Sequence, residues 1–378
     1  MNKKSILTII MTICGTLLIG GLSTSAKTHA ATNYNSIVDS AFTGTNGSTV
    51  NGIPTYKDMT SALTNAPTNS TAPYNIFIKA GTYHEKLTID RPNIHLIGEN
   101  ENTTKLSYDA ASGTKKADGT TYGTSGSASV SVIAPDFSAE NVTFENAFDY
   151  PSNAAKSNDD PTKLASPQAV ALKLDVNSQR AYFKNCKLTG YQDTLEANEG
   201  TAYFKRCYIT GNIDFIFGAG QTYFDKCDVV SMDMKSTVDN GYVTAPSTLI
   251  TNKYGFVFHK CRLTKQSKSM AANTVALGRP WHPTTTFPDG RYANPNAIGS
   301  SVYINCHMDD HIKTDGWSSM PGKDINGNTI LFTPSQSRFF EYKSRGNGAV
   351  INTDRRQLTT AEAKYYSKNK VLNGWNPQ

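Results

Sequence analysis

Through the middle of the chain, apolar and polar positions alternate in short runs that end at regularly spaced cysteines. Ala181-Tyr182-Phe183-Lys184-Asn185-Cys186 is followed by Ala202-Tyr203-Phe204-Lys205-Arg206-Cys207 and then by Thr222-Tyr223-Phe224-Asp225-Lys226-Cys227, at periods of 21 and 20 residues. Phe256-Val257-Phe258-His259-Lys260-Cys261 and Val302-Tyr303-Ile304-Asn305-Cys306 repeat the theme after longer insertions, and Val142-Thr143-Phe144-Glu145-Asn146 is an earlier copy. Each copy carries the two-residue period of a strand.

A period near 21 is too short for helix-pair repeats, lacks the leucine spacing of leucine-rich repeats, and coincides with no helical periodicity. The pattern therefore predicts an all-β, single-domain parallel β-helix with short capping helices and long functional loops. Residues one period apart should then stack at roughly 4.8 Å. The five cysteines read as an inward-facing ladder of small apolar groups rather than as disulfides. Asp58-Met59-Thr60-Ser61-Ala62-Leu63 and the capping-box pattern Thr359-Thr360-Ala361-Glu362 predict short helices that lid the two ends of the stack. Residues 101–130 and 262–300, rich in small polar residues and turn formers, are expected as long loops leaving it.

The first thirty residues stand outside this pattern. Lys3 and Lys4 precede an apolar run from Ile6 to about Leu22 and a small polar stretch ending Thr28-His29-Ala30-Ala31, which reads as a signal peptide over 1–30 followed by the enzyme domain over 31–378. No second long apolar stretch follows, so a secreted, monomeric protein with no membrane partner is expected. Removal of Lys3, Lys4 and Lys27 lowers the formal charge from +6 to about +3. A mild basic excess without a Lys/Arg tract suits an acidic polymer and argues against nucleic acid.

The repeat brings two acids together. Asp193 follows Cys186 by seven residues, and Asp214 follows Cys207 by seven. They occupy equivalent positions on successive coils, and two such carboxylates cannot both ionise cheaply, which gives one acid and one base or nucleophile. A surface acid ladder or a calcium site is the competing reading, but aromatic and apolar neighbours surround both acids, and calcium prefers more oxygen ligands. A close pair by itself suits a retaining glycosidase, whose carboxyls sit about 5–5.5 Å apart. Gln192 beside Asp193, with Gln168 a coil or two earlier, instead offers amide donors for the oxygen of a tetrahedral ester intermediate. There is no Gly-x-Ser-x-Gly elbow. His307 and His311 have metal-like spacing only if helical. No metal or cofactor is expected.

Gly81-Thr82-Tyr83-His84-Glu85, Gln168-Ala169-Val170-Ala171-Leu172, Gly190-Tyr191-Gln192-Asp193-Thr194-Leu195, Gly211-Asn212-Ile213-Asp214-Phe215-Ile216-Phe217-Gly218 and Leu277-Gly278-Arg279-Pro280-Trp281 occur in an order that closely resembles the pectinesterases. The resemblance runs from about residue 35 to the end, with Lys173 standing where that family often has Arg. It implies a right-handed parallel β-helix acting on pectin, with Asp214 as nucleophile on the C6 ester carbonyl and Asp193 as proton shuttle. It further implies Gln192 and Gln168 as oxyanion donors, Gln168 also as a substrate contact, and Arg279 as the cation that orients Asp214 and reaches a substrate carboxylate. Trp281, Phe217 and Tyr191 would face sugar rings, with further subsite contacts from Thr124, Thr284 and Met320, while Glu85 would be structural. Other pectin-acting β-helix enzymes, a thioesterase and a non-catalytic polysaccharide-binding β-helix remain as alternatives.

Overall fold

Each repeat contributes three short strands separated by corners, and the strands of successive repeats pair in parallel. The computed structural model describes residues 33–377; the expected signal peptide lies outside them. Three long sheets of twelve, eight and seven strands run along the stack, parallel throughout except for one antiparallel pair at the N-terminal end. The register follows the sequence repeat: Ala181 pairs with Ala202, Ala202 with Thr222, Thr222 with Phe256 and Phe256 with Ser301. The molecule is a parallel β-helix.

Because register is kept, like stacks on like. Phe183, Phe204, Phe224, Phe258 and Tyr303 form an internal ladder with ring centroids 4.4–5.1 Å apart. Cys186, Cys207, Cys227, Cys261 and Cys306 are buried free thiols alongside it, as the spacing predicts. The corner before each cysteine is turned by a residue in the left-handed region: Asn185, Arg206, Lys226, Lys260 and Asn305, at φ between 51° and 56°. The cost of that conformation for non-glycine residues is borne by the stack, which repeats the same corner five times.

The helix Met59–Thr64 lids the N-terminal end. Asp58 caps it by accepting from the Ser61 amide, and Met59, Ala62 and Leu63 join the core. Glu85 accepts from the Met59 and Thr60 amides, at 2.8 Å each, so it serves the end of this helix. The capping box at Thr359 and Glu362 opens the helix Thr360–Ala363 as predicted, beside the last strand, where the Thr360 and Tyr342 hydroxyls meet at 2.9 Å. Val371 and Leu372 continue the same apolar cluster along the side of the stack to Tyr182, Tyr203 and Tyr223, which project outward from the twelve-stranded sheet.

The two expected loop regions also need correction. Residues 101–130 include the stacked strand Thr104–Tyr108, and 262–300 include Arg262–Lys265 and Val275–Gly278 together with a hairpin of Thr284–Phe287 and Gly290–Ala293. Strands this short take their stability from neighbouring coils, so turn-forming composition around them hides them.

Candidate active site

Asp193 and Asp214 lie at the corners that lead into the seven-stranded sheet, just before strands Leu195–Ala197 and Ile216–Gly218. Both corners are left-handed, with φ of 65° and 51°, a conformation Asp tolerates better than most residues. The Asp193 amide donates to the Ile213 carbonyl at 3.1 Å and the Leu195 amide to Phe215 at 2.9 Å, which locks one corner on the next. Gly211 permits this approach: a Cβ there would lie 2.1 Å from the Cβ of Phe215.

The two acids are equally buried, at 8% and 7% exposure, yet differ in their partners. Arg279 donates from Nε to one oxygen of Asp214 at 2.8 Å and from Nη2 to the other at 2.6 Å, a bidentate pair. Its guanidinium lies 3.8 Å from the centre of the Tyr242 ring, and the Tyr242 hydroxyl donates to Asp239 at 2.8 Å. Burial raises the pKa of both acids. Asp193 is pushed well above the usual carboxylate range by burial and then by the charges of Asp214 and Glu196. Asp214 is raised by burial as well, but the hydrogen bonds and charge of Arg279 pull it back. The site therefore distinguishes an acid whose pKa nothing strongly pulls down, Asp193, from an arginine-bound carboxylate, Asp214.

Both line a cleft of about 610 Å³ with Gln168, Gln192, Arg279, Trp281, Phe217, Thr124 and Met320. The Phe217 and Trp281 rings meet edge to face, with centroids 5.7 Å apart. Oε1 of Gln168 is buried without a hydrogen-bond partner. Tyr191, next to Gln192, stacks on Tyr150 at 5.5 Å, and Thr284 is an exposed residue opening a hairpin; neither is among the residues that line this cleft. A larger hollow of about 670 Å³ on the other side of Trp281 contains neither acid nor Arg279. His307 lies on a strand and His311 is buried beyond it, so their spacing is not helical.

The cleft also holds an acid that sequence reasoning missed. Glu196 is 3% exposed, accepts from the Ser125 hydroxyl at 2.6 Å, and has its pKa raised to about 6, chiefly by burial. Its position, three residues after Asp193 on an outward strand site, reads in sequence as an ordinary solvent-facing residue. Tyr242 was missed because the insertion after Cys227 breaks the repeat that would have placed it.

The pectinesterase family profile matches residues 48–374. Pectinesterase A of Dickeya dadantii is 50% identical over 374 residues, covering 97% of this chain and 99% of that one. Among solved structures, the pectin methylesterase PemA from Erwinia chrysanthemi is 50% identical with a TM-score of 0.86, over 92% of this chain and 99% of that chain. A pectin methylesterase in complex with hexasaccharide VII is 49% identical, with a TM-score of 0.87 and the same coverage. The fold, the ordered motifs and these likenesses agree: the chain belongs to the pectinesterase family of carboxylic ester hydrolases.

Proposed function

We propose that this protein hydrolyses the methyl esters of galacturonate units in pectin by a covalent mechanism in which Asp214 attacks and Asp193 carries the proton. The observation that supports this reading is the asymmetry of the pair: two acids of equal burial, one gripped by Arg279 and the other not. An ionised Asp214 attacks the C6 carbonyl, and the oxyanion of the tetrahedral intermediate accepts hydrogen bonds from Gln192 and Gln168. Collapse expels methoxide, which takes the Asp193 proton and leaves as methanol. Asp193, now a base, removes a proton from water. The water adds to the carbonyl of the acyl-enzyme anhydride, releasing the galacturonate carboxylate and restoring both acids.

Pectin as substrate is supported by the names of the similar proteins and by the oligosaccharide complex among them. The basic, apolar and small-residue order of residues 1–30 supports secretion and action on an external polymer. The test is methanol release from highly esterified pectin by the wild type, Asp214→Asn and Asp193→Asn. Both variants should lose essentially all turnover while keeping their fold. Full methanol release by Asp214→Asn would remove it as nucleophile; chain cleavage without methanol from the wild type would remove the esterase reading.

A further inference from the structure

The charges lining the cleft are Asp193, Glu196, Asp214 and Arg279. Arg279 is committed to Asp214 by two hydrogen bonds, and burial with the charges of Asp214 and Glu196 raises the pKa of Asp193 well above the usual carboxylate range. Among the described residues, Glu196 is a wall acid that no ion pair neutralises. Lys173 is its Cα partner on the preceding strand, but Lys173 Nζ bonds Asp175 at 2.7 Å instead. On the following strand Glu196 pairs with Phe217, which carries no charge. Ser125, from the loop bordering the cleft, supplies a single neutral donor to Oε1, while Oε2 is buried with no partner at all.

A carboxylate in that position projects its field into the cleft. Burial keeps water and salt from screening it, and only the more distant Lys173, itself paired, offsets it. We propose that Glu196 is a specificity-determining residue whose charge disfavours a free C6 carboxylate on the unit beside the reacting one and so favours an uncharged ester there. This rests on the pectin methylesterase reading and extends it from the reacting ester to its neighbour. The effect is through space: Glu196 need not touch the sugar, and its removal subtracts a repulsion. With its pKa near 6, Glu196 passes from largely neutral to largely ionised between pH 5 and pH 8, with Lys173, Asp175 and Asp193 as the charged or titratable groups facing it.

The test compares kcat/KM for methanol release from a highly esterified pectin and from the same pectin chemically saponified to low ester content. Wild type, Glu196→Gln and Ser125→Ala are measured at pH 5 and pH 8. Both substrates use the same Asp193, so any change in its pKa cancels in the ratio. The preference of the wild type for the highly esterified polymer should fall about ten-fold in Glu196→Gln at pH 8. Wild type and variant should converge at pH 5, and Ser125→Ala should keep the wild-type preference. An unchanged ratio in Glu196→Gln at pH 8 overturns the proposal. So does the same shift in Ser125→Ala, which would make Glu196 a mere anchor for the loop. Should Glu196→Gln not fold, inhibition of the wild type by fully de-esterified polymer decides: it should weaken about ten-fold from pH 5 to pH 8, and constant inhibition overturns the idea. Methanol release by the wild type without the shift refutes only this inference; no methanol from either polymer removes the underlying reading with it.

Discussion

Arg279 and Asp214 form a bidentate ion pair, with both guanidinium bonds at 2.8 Å or less, whereas Asp193 one coil away has no such partner. Two acids placed by a repeat start out equivalent. A cation arriving from a later coil, at the end of strand Val275–Gly278, makes them different. The asymmetry of the pair is thus a product of stacking order: the carboxylate that the arginine reaches is the one whose pKa it pulls down.

Arg279→Lys should keep the charge but lose the fork. A lysine ammonium cannot hold both oxygens of Asp214 in one plane, so kcat should drop about 10²-fold, with KM changing much less. Because Arg279 opposes the upward shift that burial gives Asp214, weakening the pair should also move the acid limb of the pH–rate profile to higher pH. Steady-state kinetics across pH measure both effects. An unshifted acid limb would mean that some other group governs the ionisation of Asp214.

Tyr242 should act through Arg279. Its ring supports the guanidinium from 3.8 Å, an interaction worth about 1–2 kcal/mol when partly desolvated. Tyr242→Leu should therefore lower kcat/KM by roughly five- to thirty-fold, while Tyr242→Phe, which keeps the ring and loses only the bond to Asp239, should stay within about two-fold. Equal losses in the two variants would assign the effect to the hydroxyl.

What the sequence made legible follows from the range of each interaction. Asp193 and Asp214 could be paired from sequence because they sit one period apart, and the cysteine ladder emerges from the same arithmetic. Arg279 could not be brought to them by counting, since an insertion separates its coil from theirs; only the ordered family motifs suggested it. Glu196 reads in sequence as an ordinary outward residue, because its register with Lys173 and the diversion of Lys173 to Asp175 are matters of strand pairing and side-chain geometry. Thr359 and Glu362 disclose a helix start because a capping box is local. Where the chain after that helix docks, at Val371 and Leu372, is decided by an aromatic row some 150 residues earlier in the chain.

Glu85 should matter for stability and leave turnover alone. It accepts from two amides and from the Thr60 hydroxyl at the start of the helix that lids the stack. Glu85→Gln removes the charge and turns one accepting oxygen into a donor facing donors, a loss of about 1–3 kcal/mol. Chemical denaturation should register the loss while kcat on pectin remains unchanged. A fall in kcat without loss of stability would move Glu85 from the lid to the reaction.

His311 should give the protein a stability that depends on pH in one direction. The ring is fully buried, both nitrogens lack hydrogen-bond partners, and burial, with Lys265 nearby, lowers its pKa to about 4. In an unfolded chain the same imidazole titrates near 6.5. Between these values the unfolded state binds a proton that the folded state refuses, so stability is complete above about pH 6.5 and is lost as pH falls toward 4, by up to roughly 3 kcal/mol. Asp193, Asp214 and Glu196, whose folded pKa values are raised, bias stability in the opposite sense, so the signature of His311 is a difference between two proteins rather than a single curve. His311→Leu removes the titrating group while filling a similar space. Urea midpoints at pH 7 and pH 4.5 should show a smaller acid loss in His311→Leu than in the wild type. Parallel losses would mean that His311 meets the proton without unfolding, through a partner that becomes available only on opening.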